Sequence, residues 1–212
     1  MLDPNTEHAT QLVNHWYWRP GHRPGRPFYT WHLTFNNQHD LHRLVTEYHN
    51  ILHQFSFLGL VPIPWLHMTV QGVGFVDDIT DHDLHTLLNA VRAHTTHLAT
   101  LSLQFHQLTA RAEALALYPK PVDAILTMRD AIRHGIADAW GTECVPEAPD
   151  GYQPHLSVAY ANTQHSTAAV HTALAGHHLT RATASVDHLS LIMIQRDNHQ
   201  YRWQVTHSLS LL

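Results

Sequence analysis

Leu66-His67-Met68-Thr69-Val70 and Pro154-His155-Leu156-Ser157-Val158 are apolar stretches of strand composition, each built round the pattern His-x-Thr or His-x-Ser. On a strand, residues i and i+2 point to the same face, so an imidazole and a hydroxyl two positions apart can hold one phosphate together. The bare pattern carries little weight, because the chain of 212 residues contains 23 histidines. Matches begin at His8, His32, His67, His94, His155, His165, His178 and His188. Asking for apolar neighbours within a strand leaves those at His32, His67, His155 and His188.

The order of elements separates these four. Phe28 to Phe35 is aromatic and β-branched and reads as a strand, followed by a helix with Leu41, Leu44, Val45, Tyr48, Leu52 and Phe55 at helical spacing. Trp65 to Phe75 returns to strand composition, where Gly72 and Gly74 predict a bulge or a close backbone approach. Thr80 and Asp83 form a capping-box pattern before a second helix, and two adjacent strands follow, Leu101 to Phe105 and Glu113 to Tyr118. Pro121 suits the first turn of a third helix that ends at Gly141. Thr142 to Gln153 reads as a loop, His155 to Tyr160 as a strand and Gln164 to Ala175 as a helix, and the C-terminus as a hairpin turning at Asp197-Asn198. The order β-α-β-α-β-β and then α-β-α-β-β looks like one unit used twice, an α+β chain with helices outside two sheets. Residues 1–27 form an N-terminal arm, and 28–212 one bilobal domain with lobes of about 28–120 and 121–212. Of the four, only His67 and His155 are equivalent by position between the two halves.

Composition limits the rest. The chain is 44% hydrophobic and 14% charged, with no apolar run long enough to span a membrane, so a soluble fold is expected. The start Met1-Leu2-Asp3-Pro4-Asn5 lacks the order of a secretory signal, and the single Cys144 cannot form an internal disulfide, so a cytoplasmic location is expected. A net charge of -5 argues against broad capture of duplex DNA but leaves a small or terminal phosphate possible. The pairs His39/His42, His49/His53, His82/His85 and His94/His97 could each share a helix face, yet no Cys or carboxylate cluster completes a coordination shell. No metal or other cofactor is expected.

The chain resembles the 2H phosphoesterase superfamily, which includes 2′-5′ RNA ligase-like proteins and cyclic nucleotide phosphodiesterases. The hallmark is the pair of His-x-Thr/Ser motifs. The settings are similar too: a downstream glycine in His67-Met68-Thr69-Val70-Gln71-Gly72-Val73-Gly74-Phe75, a proline before the second motif in Tyr152-Gln153-Pro154-His155-Leu156-Ser157-Val158, and a final hairpin from Ala184 to Val205. The likeness runs from about Phe28 to Leu211. It departs from the family at Ser157, where Thr is commoner, and at Gly72-Val73-Gly74. It implies a duplicated two-lobed fold in which two antiparallel-rich sheets form a central cleft with helices outside. His67 and His155 would be the acid/base pair, and Thr69 and Ser157 would donate to non-bridging phosphate oxygens.

Histidine titrates near neutrality and can take one proton and give another, which is what breaking a phosphodiester requires. The expected activity is metal-independent opening of 2′,3′-cyclic phosphates of nucleotides or RNA ends. The alternatives are a 2′-5′ RNA ligase or 2′-5′ phosphodiesterase, a nucleotide- or RNA-end-binding module without turnover, and a His-rich metal-binding protein. The expected partner is a nucleotide or RNA terminus carrying a cyclic phosphate or 2′-5′ linkage, with no membrane. The arm from His15 to Arg26 combines three arginines with Trp16, Tyr17 and Trp18, so Arg19 and Arg26, with Tyr29, Trp31 and Tyr152 as walls, are candidate substrate contacts. His32 and His188 read as strand histidines satisfied by packing and a hydrogen bond.

Overall fold

The computed structural model describes residues 9–177, 179 and 181–212; the motif matches beginning at His8 and His178, and the first eight residues of the arm, lie outside them. The elements run β1 (Gln11–Leu12), β2 (Phe28–Thr34), α1 (His39–Leu52), β3 (Leu58–Leu60), β4 (His67–Phe75), α2 (Asp81–Thr95), β5 (Leu101–Ala110), β6 (Ala114–Lys120), α3 (Asp123–Trp140), β7 (Leu156–Ala161), β8 (His165–Ser166), α4 (Ala168–Ala175), β9 (Ala182–Val186), β10 (His188–Gln195) and β11 (Arg202–Ser210). Thr80 caps α2 through a capping box with Asp83, and Gly141 ends α3 at φ +97, a conformation other residues rarely adopt.

One sheet has the order β11-β10-β2-β4 and a second the order β3-β7-β6-β5-β9, with every pairing antiparallel. This is the α+β, two-sheet architecture expected of the chain. The sheets do not follow the division at residue 120. The first sheet joins β2 and β4 to the C-terminal hairpin β10–β11, and the second joins β5 and β6 to β7 and β9. The helices cross over as well: α1, which follows β2, packs on β9, β3 and β7, whereas α3, which links β6 to β7, packs on α2 and β4. Each sheet is therefore covered by a helix that leaves a strand of the other.

Local departures from the sequence reading have simple causes. His165-Ser166 pairs with Gln11-Leu12 in a short ribbon, so α4 starts only at Ala168. Leu58–Leu60 adds an edge strand beside β7 that is too short to leave a periodic signal. Ala184 to Leu191 is not one strand: at Asp187 the chain passes from β9 in one sheet to β10 in the other. Pro121 precedes α3 instead of lying in its first turn, and His155 stands just before β7. The bulge expected near Gly72 and Gly74 is present. Opposite β2, the pairing skips Val73 and Val70, and a Cβ on Gly72 would come within 2.8 Å of the Glu147 carboxylate.

The intervening residues of the two motifs hold them in place. Met68, Val70, Leu156 and Val158 are fully buried on the core side, each contributing about 1.5–3 kcal/mol if an ordinary apolar side chain. Helices α2 and α3 approach closely at Gly135 in α3, where an added Cβ would lie 2.6 Å from the Val91 Cα of α2. Gly135→Ala gains helix propensity of about 1 kcal/mol but must push backbone apart, at a cost of about 1–3 kcal/mol or more. Urea denaturation should show Gly135→Ala less stable than wild type and Gly176→Ala, which meets open space, no less stable. Equal midpoints for the two variants would contradict this packing.

Candidate active site

His67 and His155 are held in the same way. His67 Nδ1–H donates to the Trp65 carbonyl at 2.9 Å, and His155 Nδ1–H donates to the Gln153 carbonyl at 2.8 Å. Each bond closes on the residue two positions back, so the backbone entering each motif, a 3-10 turn over Ile63–Trp65 before His67 and a loop before His155, orients its own imidazole. The tautomer that results leaves Nε2 unprotonated in the neutral ring. The Tyr152 hydroxyl, donating to the Thr69 carbonyl at 2.8 Å, ties the segment before His155 to β4. The two rings are near enough that a charge on His67 lowers the pKa of His155.

The surroundings favour the neutral form of both rings. Burial lowers the pKa of His67, opposed by its bond to Trp65. His155 falls to about 4, through burial and then the positive charge of Arg111. Arg111 Nη1 lies 3.1 Å from His155 Nδ1. Because that nitrogen donates to Gln153, the guanidinium acts there as a charge and not as a donor to the ring. Arg111 also sits 5.7 Å from the Tyr118 ring centroid.

Thr69 is exposed and Ser157 is 6% exposed. Thr69 Oγ1 lies 2.7 Å from His32 Nε2, and Ser157 is close enough to the Tyr160 phenol to lower its pKa, against the larger rise that burial causes. Aromatic rings surround His67: His32 is stacked at 4.8 Å, Trp203 is edge-on at 5.0 Å and Tyr201 at 5.7 Å. Behind Tyr201, the arm contributes a buried relay. Tyr201 Oη–H donates to His15 Nε2 at 2.9 Å, and His15 Nδ1–H donates to Glu113 at 2.9 Å, with Arg19 on the same carboxylate at 2.8 Å. His15 is lowered to about 4, first by burial and then by Arg19.

The other candidates divide. Arg19 and Tyr152 are beside this cluster. Arg26 is not: its guanidinium is committed to Asp77, Asp78 and the Gly21 carbonyl and lies over Phe75. Trp31 is fully buried and cannot be a wall, and Tyr29 packs against the core, because on β2 His32 faces Thr69 and its odd-numbered neighbours face inward. His188 is exposed and paired with Asp187 at 2.7 Å instead of being satisfied by packing. Arg111, Glu113 and Trp203 join the cluster without having been singled out by the sequence, and His15, at the start of the stretch His15 to Arg26, joins it through a contact to Glu113 that the sequence did not indicate. Only Trp203 carries a signal there, its i+2 spacing from Tyr201 on a hairpin strand. Among the described residues, no group of three or more His, Cys, Asp or Glu is arranged to hold a metal ion. Nor is any described helix long and apolar enough to cross a membrane.

Two imidazoles with tethered Nδ1 atoms, two hydroxyls and one arginine can together exchange two protons and bind an anion. Solved structures share the fold. TT0787 of Thermus thermophilus superposes with a TM-score of 0.67 at 13% identity over 87% of this chain and 97% of that one. LigT of E. coli complexed with 3′-AMP superposes with a TM-score of 0.62 at 11% identity over 88% and 98% of the two chains. LigT complexed with ATP does so with a TM-score of 0.55 at 12% identity over the same shares. Among curated proteins none matches. The family described as the 2′-5′ RNA ligase superfamily matches residues 43–198, and the chain belongs to it.

Proposed function

We propose that the protein is a metal-independent phosphodiesterase that opens 2′,3′-cyclic phosphates of nucleotides or RNA ends. The observation that carries this reading is the matched pair of imidazoles, each fixed by a backbone carbonyl at Nδ1. His155, which Arg111 beside it favours in the unprotonated form, is the one that starts without the proton and acts as the base. Its Nε2 takes a proton from water as the water oxygen attacks phosphorus. The bond from phosphorus to one ribose oxygen breaks, and protonated His67 gives that oxygen its proton, leaving a phosphate monoester. Each such proton transfer contributes about 10²–10⁴-fold to rate. Thr69 and Ser157 donate to the non-bridging oxygens, and Arg111 offsets the charge that grows on them.

Lowered imidazole pKa values suit an anionic substrate, because the bound phosphate supplies the negative charge that raises the acid again. The arm supports a nucleotide partner: Tyr17 and Trp18 are 51% and 50% exposed, with Arg19 5.6 Å from the Tyr17 ring centroid, a platform on which bases can stack. The complexes of LigT with 3′-AMP and ATP fit the same class of ligand. A second reading, 2′-5′ ligation or cleavage by the same residues, is favoured by the name of the matched family. Product analysis separates the two.

Incubated with chelator and cytidine 2′,3′-cyclic phosphate, wild type should open the ring, and His67→Ala and His155→Ala should each lose at least about a hundredfold in rate while remaining folded. Chelator-sensitive turnover, or an active variant, would sink the mechanism. The profile of kcat/KM against pH should be bell-shaped. A base held down to about 4 stays unprotonated well below the ordinary histidine value, so its acid limb should lie on the acid side of that value. Arg111→Gln removes the charge that lowers His155 and should move that limb to higher pH; an unmoved limb would reassign the base.

A further inference from the structure

We propose that His32 is a positioning residue whose Nε2–H donates to Thr69 Oγ1 and so turns the Thr69 hydroxyl proton outward, towards an anionic oxygen. This rests on the phosphate-binding reading of Thr69. His32 lies outside the segment 43–198 that matches the family, on β2 directly opposite Thr69. His32 is 1% exposed, its Nε2 is 2.7 Å from Thr69 Oγ1, and its Nδ1 has no partner among the described residues.

A hydroxyl has one proton. If Thr69 donates to His32, nothing is left for a phosphate oxygen; if Thr69 accepts from His32, its proton is free to donate. The two arrangements correspond to the two tautomers of the neutral ring. With the proton on Nδ1, a buried N–H would have no acceptor, a situation rarer in proteins than an under-used lone pair. With the proton on Nε2, the short contact to Thr69 is satisfied and only a lone pair is left over. The surroundings keep the ring in the neutral form this requires: burial and the neighbouring His67 both hold its pKa well below the usual value. Stacking at 4.8 Å and 23° also braces the His67 ring from behind. A side chain that merely fills the sheet would need neither the donor nor this orientation.

The test uses wild type, His32→Phe, His32→Gln, Thr69→Val and the double variant His32→Phe/Thr69→Val. Phenylalanine keeps a ring in the site without a donor, and glutamine returns an N–H at similar reach. Turnover of cytidine 2′,3′-cyclic phosphate and affinity for inorganic phosphate are measured for each. His32→Phe should lower both, the rate by roughly ten- to a hundredfold, with His32→Gln recovering much of the loss. In the Thr69→Val background, His32→Phe should cost nothing further, because the group it orients is gone. Losses that multiply in the double variant, or a fully active His32→Phe protein, would overturn the assignment. Nitrogen-15 shifts of His32 in wild type report the tautomer without any turnover. If wild type fails to open the ring, the phosphodiesterase reading falls. The assignment of His32 then stands with a protonated Nε2 and falls with a protonated Nδ1, and the same measurement decides should His32→Phe not fold.

Discussion

The exchange of covering helices between the two sheets is the constraint on which the rest depends. α1 leaves the sheet that carries His67 and buries Leu41, Leu44, Val45 and Leu52, packing over the sheet that carries His155; α3 leaves the second sheet and packs on β4 of the first. Neither sheet can complete its core without a connection that belongs to the other. The two motif strands are thus positioned relative to each other by burial, the dominant favourable term in folding, and not by a hinge or a linker. A pair of imidazoles has to be held to a fraction of an ångström to exchange protons with one phosphate, and a shared core is a stiff way to do it.

On that frame, the chemistry of the candidate site is set by what is withheld from the histidines. Among the described residues no carboxylate is hydrogen-bonded to either ring; each is tied to a backbone carbonyl, which fixes the tautomer without adding a full charge. Burial then favours the neutral form, and at His155 the nearby Arg111 does so further. The carboxylate at hand, Glu113, is kept away by His15 and Arg19, so its charge is spent inside the arm. A site of this kind is short of negative charge until a ligand brings one. That is a physical reason for an anion to bind there even though the whole chain carries a net charge of -5.

Much of the fold is legible in the sequence because the long elements are strongly periodic: β2, α1, β4, α2 and α3 lie close to where apolar spacing and capping residues put them. What is not legible depends on partners distant in sequence. The ribbon of Gln11-Leu12 with His165-Ser166 has two residues on each side, too few for a pattern, and the break at Asp187 shows only once β9 and β10 are seen in different sheets. The same holds for the site. The motif residues announce themselves by spacing, but Arg111, His15 and Glu113 reach it through pairings across 44 and 98 residues, and no local signal marks them. Trp31 misleads for the opposite reason: a strand of aromatic residues does not say which face is the core until its neighbour is known.

The duplication is imperfect, and its imperfections distinguish two otherwise equivalent imidazoles. Behind Thr69 stands the buried imidazole of His32, and behind Ser157 the phenol of Tyr160. An arginine accompanies His155, and among the described residues none is among the causes that shift His67, whose ring contacts are Trp203, Tyr201 and His32. General acid–base catalysis on a diester needs one group that starts without the proton and one that starts with it. A fully symmetric cleft would give both histidines the same affinity for protons and leave their roles to chance at each encounter. A fixed positive charge on one side only biases the pair, so that when an anion arrives the proton it attracts settles on the imidazole without the arginine. On the proposed mechanism, Arg111, at the turn between β5 and β6, is the group that would supply that bias from outside either motif.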